Sequence, residues 1–274
     1  MLDCTLAYGL SFLFPAGDSA VGASLKNHGE FSRVELDFLL DHADAADSAT
    51  FIDVGANIGS IALPFAKARP SWQVFAIEAH RGLAGLLAAN THQNLLSNVE
   101  VFNAAAGPER VLADFPTISF SIPGNFGQLR FGTTGATEAV RMLTLDEVAP
   151  PDTRIIKVDV EGFEPEVLKG SSGLLEREEA IWLLEASIHR PTQTAEVIRT
   201  FQLLGYNAFW FYVPFVTPVA PKGPPIDASK GDSNIVVLPR HIGNKWNLTP
   251  VQSPDEQRPP DISSYLYLNR YGIY

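Results

Sequence analysis

Phe51-Ile52-Asp53-Val54-Gly55-Ala56-Asn57-Ile58-Gly59 decides the fold class of this chain. Its first four residues are a short apolar run that reads as a buried strand. Residues 58–67 read as a helix, and the glycines and asparagine between them mark a tight strand-to-helix turn. Such a turn brings backbone N–H groups and a helix N-terminus against a bound ligand. A dinucleotide fingerprint, G-x-G-x-x-G, would place glycine at 55, 57 and 60, but the chain carries Asn57 and Ser60. The second glycine of that pattern lets backbone approach a pyrophosphate. With a side chain there, the turn favours a ligand without phosphates.

Working outward, apolar runs alternate with helix-like segments, the pattern of a mostly parallel, doubly wound α/β sheet. Strands are expected at 51–54, 73–78, 99–105, 154–160 and 181–185. Helices are expected at 81–95, 163–175 and 192–204, the last stopped by Gly205. The order then changes: 206–216 and 234–239 are strand-like with no helix between them, so they should pair antiparallel at one edge. Residues 218–233, with Pro-Lys-Gly-Pro-Pro, read as a long loop. A small β insert is expected near 112–143, with strand pieces at 118–122 and 139–143. This divides the chain into an N-terminal segment (1–50), a core domain (51–240) and a tail (241–274) that is proline-rich and then carries Tyr265, Tyr267, Tyr271 and Tyr274.

Of the 274 residues, 46% are hydrophobic and 19% charged, an ordinary globular composition. The net charge of −11 and the absence of a Lys/Arg cluster argue against a nucleic-acid partner. Cys4 is the single cysteine, so no internal disulfide or thiolate metal cluster can form, which fits a reducing cytoplasm. The N-terminus lacks a signal-peptide pattern, and no apolar stretch is long enough to span a bilayer. No spacing of the histidines suggests a metal site.

Glu78 closes the second expected strand. An acid at that place in nucleotide-type sites accepts hydrogen bonds from two ribose hydroxyls. Lys157-Val158-Asp159-Val160-Glu161-Gly162 closes the fourth, which flanks the first at the switch point where ligands bind. Asp53 and Asp159 should therefore lie close together, and two close carboxylates repel unless a cation, a proton or hydrogen-bond donors sit between them, an arrangement that suits a positively charged ligand. A ligand with a ribose, a positive charge and no phosphate points to S-adenosylmethionine. Glu161 serves equally well as a helix cap. Glu185, at the end of the fifth strand, and His189 just beyond it are further candidates for a proton-accepting base. Asn103 on the third strand is a candidate for contact with the adenine.

Asp-Val-Gly-Ala-Asn-Ile-Gly (53–59), Ile-Glu-Ala (77–79), Thr-Leu-Asp-Glu (144–147), Lys-Val-Asp-Val-Glu-Gly-Phe-Glu (157–164), Val-Leu-Lys-Gly (167–170) and Leu-Leu-Glu (183–185) together resemble the FkbM family of S-adenosylmethionine-dependent methyltransferases. Gly29-Glu30-Phe31 and Glu35 resemble the segment preceding the first strand there. The resemblance spans roughly residues 30 to 240. It implies a class I methyltransferase Rossmann-like fold, with S-adenosylmethionine held around Asp53, Gly55, Ala56, Asn57, Gly59, Glu78, Ala79, Asn103 and Asp159. It also implies O-methylation of a hydroxyl on a sugar, glycan or other small metabolite, with Asp159, Glu161, Glu185 and His189 near the methyl. The alternatives are an NAD(P)-dependent oxidoreductase, against which Asn57 and Ser60 speak, and a silent binding module, against which the intact turn and Glu78 speak. The 218–233 loop and the tyrosine tail are expected to cover the acceptor side or a second subunit.

Overall fold

The chain opens with a hairpin, β1 (Leu2–Ala7) and β2 (Leu10–Pro15). Its two turn residues, Tyr8 and Gly9, both take positive φ (54° and 69°), as a two-residue hairpin loop requires. Two helices follow, α1 (Val21–His28) and α2 (Arg33–Ala43). The computed structural model describes residues 1–44, 46–224 and 227–274.

Strands and helices then alternate: β3 (Thr50–Val54), α3 (Ala62–Ala68), β4 (Gln73–Glu78), α4 (Arg81–Gln93) and β5 (Val99–Asn103). After the insert strands β6 (Ala105–Ala106), β7 (Val111–Pro116) and β8 (Thr137–Leu143) come α5 (Leu145–Val148), β9 (Thr153–Val158), α6 (Glu164–Lys169), α7 (Ser172–Arg177), β10 (Ile181–Glu185) and α8 (Pro191–Leu203). The chain closes with β11 (Asn207–Pro214), β12 (Gly231–Leu238) and the short β13 (Thr249–Pro250).

The main sheet has the order β13-β11-β12-β10-β9-β3-β4-β5. From β10 to β5 every pairing is parallel, and β12, β11 and β13 add antiparallel pairings. The central strands are buried over their length: every residue of β3 is buried, and so is nearly all of β9. That explains their unbroken apolar runs. This is the Rossmann-like α/β arrangement expected of a class I methyltransferase, with the antiparallel edge pair in place. Among the described residues no helix is long and apolar enough to cross a membrane.

Several boundaries move for physical reasons. The helix expected from residue 58 begins at Ala62, because residues 55–61 are used by the turn. Gly55 and Ala56 donate to the Ile77 carbonyl (2.9 and 3.0 Å), and Gly59 donates to Ala56 O (2.8 Å). The third strand ends at Asn103, and Ala105–Ala106 pairs with β8 in a separate three-stranded sheet. The helix expected at 163–175 is two helices. They are separated at Gly170 and Ser171, and a Cβ at Gly170 would lie 2.0 Å from the Gly107 carbonyl oxygen, so the glycine lets backbone from the insert pass close by. Residues 118–122 are not a strand, since 111–116 takes the whole length of β8 as its partner. Residues 225 and 226 of the 218–233 loop lie outside the described residues.

The tail does not cover the cavity described below. Its β13 pairs with the outer edge of β11. Tyr267 Oη accepts from Tyr212 N (2.7 Å) and donates to Tyr212 O (2.9 Å), so one hydroxyl satisfies an edge-strand residue that would otherwise face outward unpaired. Tyr271 donates to Asp37 of α2 (2.9 Å), and Trp246 packs edge-on to Phe38 at 5.2 Å. Tyr267→Phe leaves both Tyr212 backbone groups buried without a partner. We expect a loss of roughly 1–3 kcal/mol in urea unfolding with cofactor affinity unchanged; an unmoved midpoint would show that the hydroxyl has no structural role.

Candidate active site

A cavity of about 580 Å³ opens at the carboxyl ends of β3, β4, β9 and β10. One half is built from the β3 turn and the end of β4. The turn needs its glycine: Gly55 has φ +81°, and a Cβ there would lie 1.9 Å from the Asp159 carbonyl oxygen. Asn57 also takes the left-handed conformation, with φ +53°. Short polar residues such as asparagine tolerate it best. A Cβ at Gly59 would meet Leu63 and Leu87 at 2.6–2.8 Å, so this glycine serves packing and does not line the cavity.

Glu78 is fixed by two backbone donors, Asn57 N on Oε2 (2.9 Å) and His80 N on Oε1 (2.8 Å). Each carboxylate oxygen can accept a second hydrogen bond. Burial pushes its carboxyl up to about 7, against the lowering effect of the two N–H bonds. Ala56 and Ala79 also line this half.

Asp53 and Asp159 lie near one another, as the neighbouring strands require, but the cation between them belongs to the protein. Lys157 stands opposite Asp53 in the β3–β9 register. Its ammonium is 3.3 Å from Asp53 Oδ1, 3.3 Å from Asp159 Oδ2 and 4.0 Å from Glu35 Oε1. The cation expected between the two carboxylates is thus Lys157, and the pair by itself does not call for a positively charged ligand. Burial acts to lower the Lys157 ammonium, yet Asp53, Asp159 and Glu35 together raise it above its ordinary value. Burial in turn raises Asp53, with Lys157 opposing.

Asp159 is the open member of the group, its side chain 44% exposed. Glu161, at φ +57°, is bound to Arg190 Nη2 at 2.5 Å, and Glu185 takes the other arm of the same guanidinium at 3.2 Å. Glu161 does not cap α6, whose N-cap is Phe163 with no side-chain capping bond; Glu164 Oε1 instead holds the turn ahead of the helix, accepting from Val160 N (3.1 Å) and Gly162 N (3.2 Å). Burial and the neighbouring Asp159, Glu161 and Glu164 push Glu185 up to about 9, despite Arg190.

Two candidates fall outside the cavity. His189 is exposed on the loop after β10, and Asn103 is exposed with its amide donating to the Glu78 and Ala79 carbonyls (3.1 and 3.2 Å). Neither lines the cavity. The Thr144–Glu147 motif is structural: it forms a capping box on α5, and Asp146 caps α7 through Gly173 N (2.8 Å) and Leu174 N (2.9 Å).

Of the opposite half, the 218–233 segment was expected from the sequence to face the acceptor, and its Lys230 and Asp232 line the cavity; the contributions of α1, α2 and Phe215 were not read from the sequence. This half comes from α1, α2 and the stretch between β11 and β12. Phe31 and Phe215 stack at 5.8 Å and 9°, Ser32 N donates to Phe215 O (2.9 Å), and the fully buried Glu30 accepts from Thr217 N and Oγ1 (2.6 and 2.8 Å). Glu35 and Asp232 face the cavity from this side. Burial, with nearby Asp159 and Glu161, lifts Asp232 to about 7. Among the described residues no group of three or more His, Cys, Asp or Glu is placed to hold a metal ion.

The Methyltransferase FkbM domain profile matches residues 53–208. No curated protein matches the chain. Among solved structures, a methyltransferase FkbM from Methylobacillus flagellatus aligns at 18% identity and TM-score 0.48, over 70% of this chain and 44% of that one. This chain thus spans less than half the length of that protein. A SAM-dependent methyltransferase from Agrobacterium tumefaciens aligns at 12% identity and TM-score 0.49, over 87% and 70%. A SAM-dependent O-methyltransferase from Thermotoga maritima aligns at 14% identity and TM-score 0.44, over 77% and 67%. The profile match covers more than half of the sequence, and the chain belongs to the FkbM methyltransferase family, whose expected cofactor is S-adenosylmethionine.

Proposed function

We propose that the protein transfers the methyl group of S-adenosylmethionine to a hydroxyl of a small polar acceptor, a sugar, glycan or other metabolite. Residues 51–240 act as the methyltransferase domain, 1–50 supply part of the acceptor wall, and 241–274 are a structural tail. The cytoplasm is its place of action, as the single cysteine allows. The observation that carries the reading is Asp159: an open carboxylate at the end of β9, between the Gly55 turn and the wall made by α2 and β12.

The residues present fit the cofactor. Gly55, whose missing Cβ lets the ends of β3 and β9 close up, lines the cavity with backbone, and Glu78 is held with two acceptor positions free for a ribose diol. Asp53, Ala56, Asn57 and Ala79 complete that half. When bound, the cofactor supplies a methyl carbon activated by its sulfonium. The protein must then align the acceptor oxygen, exclude water and take up the hydroxyl proton. Glu161 is held by Arg190 at 2.5 Å and Glu185 is pushed up to about 9, whereas Asp159, though beside Lys157 at 3.3 Å, keeps an open carboxylate, so we take Asp159 as the base. Asp159 would take up the proton of the acceptor hydroxyl, the cofactor's thioether being the leaving group of the transfer.

Glu78→Ala removes the charge-assisted acceptor for the ribose. Affinity for S-adenosylhomocysteine, read by calorimetry, is expected to weaken by about 1.5–3 kcal/mol. Unchanged affinity in a folded variant rules out the ribose role. The function itself is tested with methyl-labelled S-adenosylmethionine and a set of hydroxyl acceptors: label in an ether product supports it, and label found only on amines or thiols refutes it.

A further inference from the structure

Glu35 takes no part in the reaction described above, yet it is a buried polar side chain on the acceptor side. It sits near the start of α2 with its side chain only 7% exposed, and it lines the cavity. Its Oε1 has no hydrogen-bond partner among the described residues, and Lys157, the nearest cation, is 4.0 Å away. Oε1 is buried against Lys157, beyond hydrogen-bond reach, so the carboxyl meets a group entering the cavity through the part of the side chain that lines it. Around it stand Asp53, Asp159 and Asp232 and the cations Lys157 and Lys230, with the Phe31–Phe215 stack on the same wall.

We propose that Glu35 binds the methyl acceptor, its carboxyl group donating a hydrogen bond to an oxygen beside the hydroxyl that is methylated, and that the acceptor is an uncharged polyhydroxyl ring. This rests on the hydroxyl reading of the site. The ring's C–H face suits the Phe31–Phe215 wall, and its oxygens suit Glu35 and Asp232. Acceptors bearing a carboxylate are repelled by Asp53, Asp159 and Asp232. Burial lifts the Glu35 carboxyl to about 8, with Lys157 opposing and Asp159, Asp53 and Asp232 adding to the rise, so near pH 7 it carries the proton it donates.

The test uses the full chain, labelled S-adenosylmethionine, and methyl hexopyranosides beside the corresponding hexuronic acids as probes. Glu35→Leu is expected to raise the acceptor KM about tenfold, the worth of one hydrogen bond, with kcat and S-adenosylhomocysteine affinity held within about threefold. Glu35→Gln keeps a donor of the same shape and should recover most of that loss. The parent's KM should rise as pH passes 8 and the donor proton is lost, while that of Glu35→Gln should stay flat. An unmoved KM in Glu35→Leu overturns the assignment, as does a tenfold loss of S-adenosylhomocysteine affinity in both variants, which would place Glu35 in the cofactor half. Preference for the uronic acids overturns the acceptor class. Failure of the parent to methylate any probe refutes the hydroxyl reading and this assignment together, whereas turnover with an unmoved KM refutes this assignment alone.

Discussion

Asp159→Asn is expected to lower methyl transfer by roughly a hundredfold or more, the usual worth of a positioned proton acceptor. The substitution keeps shape and removes the acceptor of the hydroxyl proton. Lys157 retains Asp53 at 3.3 Å and Glu35 at 4.0 Å, so the group around it stays paired. The side chain is nearly half exposed, which limits the effect on folding. Single-turnover rates with excess enzyme separate the chemical step from product release. S-adenosylhomocysteine affinity, measured alongside, should fall far less than the rate. Transfer at the parental rate would remove Asp159 from the reaction.

Lys157→Met should be the most destabilising single change in the site. Lys157 is 4% exposed and Asp53 1%, and the lysine is the cation paired with Asp53 inside the protein, with Glu35 Oε1 4.0 Å away. Removing one partner of a buried pair leaves uncompensated charge and costs about 3–5 kcal/mol. The variant's carboxyls must then hold protons in order to stay buried. Their folded values lie above their unfolded ones, so the folded variant binds more protons than the unfolded chain and its stability falls as pH rises. Glu35 already titrates near 8 in the parent, with Lys157 present. The gap between parent and variant in urea unfolding should therefore be wider at pH 8 than at pH 5.5. A small loss that is equal at both values would mean that the three carboxylates do not depend on this lysine.

What was legible in the sequence is what local pattern dictates. The apolar runs of β4 and β10 have the ends that their composition predicts, because buried parallel strands leave no room for polar residues. The Gly55 turn and Glu78 are legible for the same reason: a short segment sets their geometry. Lys157 also left a signal, a lone cation in the middle of Arg-Ile-Ile-Lys-Val-Asp-Val, since a lysine in a buried strand must find carboxylates. The misses arise where distant segments meet. Gly170, between the two helices, lies against the Gly107 carbonyl, which no window around 163–175 contains. Glu35 reaches the cavity from α2, far in the chain from Asp232 of β12. Asn103 turns away because the Glu78 and Ala79 carbonyls offer its amide nearer partners. The tyrosine tail has the composition of a substrate wall, but its hydroxyls meet the open edge of β11 and the side of α2.

The central claim is that the cofactor lies between the Gly55 turn and Glu78, with the Asp159 carboxylate open beside it. The most direct measurement is a crystal structure of the protein grown with S-adenosylhomocysteine. The account predicts the ribose hydroxyls on the Glu78 carboxylate, the ligand backbone against Gly55–Asn57, and Asp159 facing the sulfur across the space left for an acceptor. Ligand bound elsewhere, or a ribose that leaves Glu78 untouched, would contradict it.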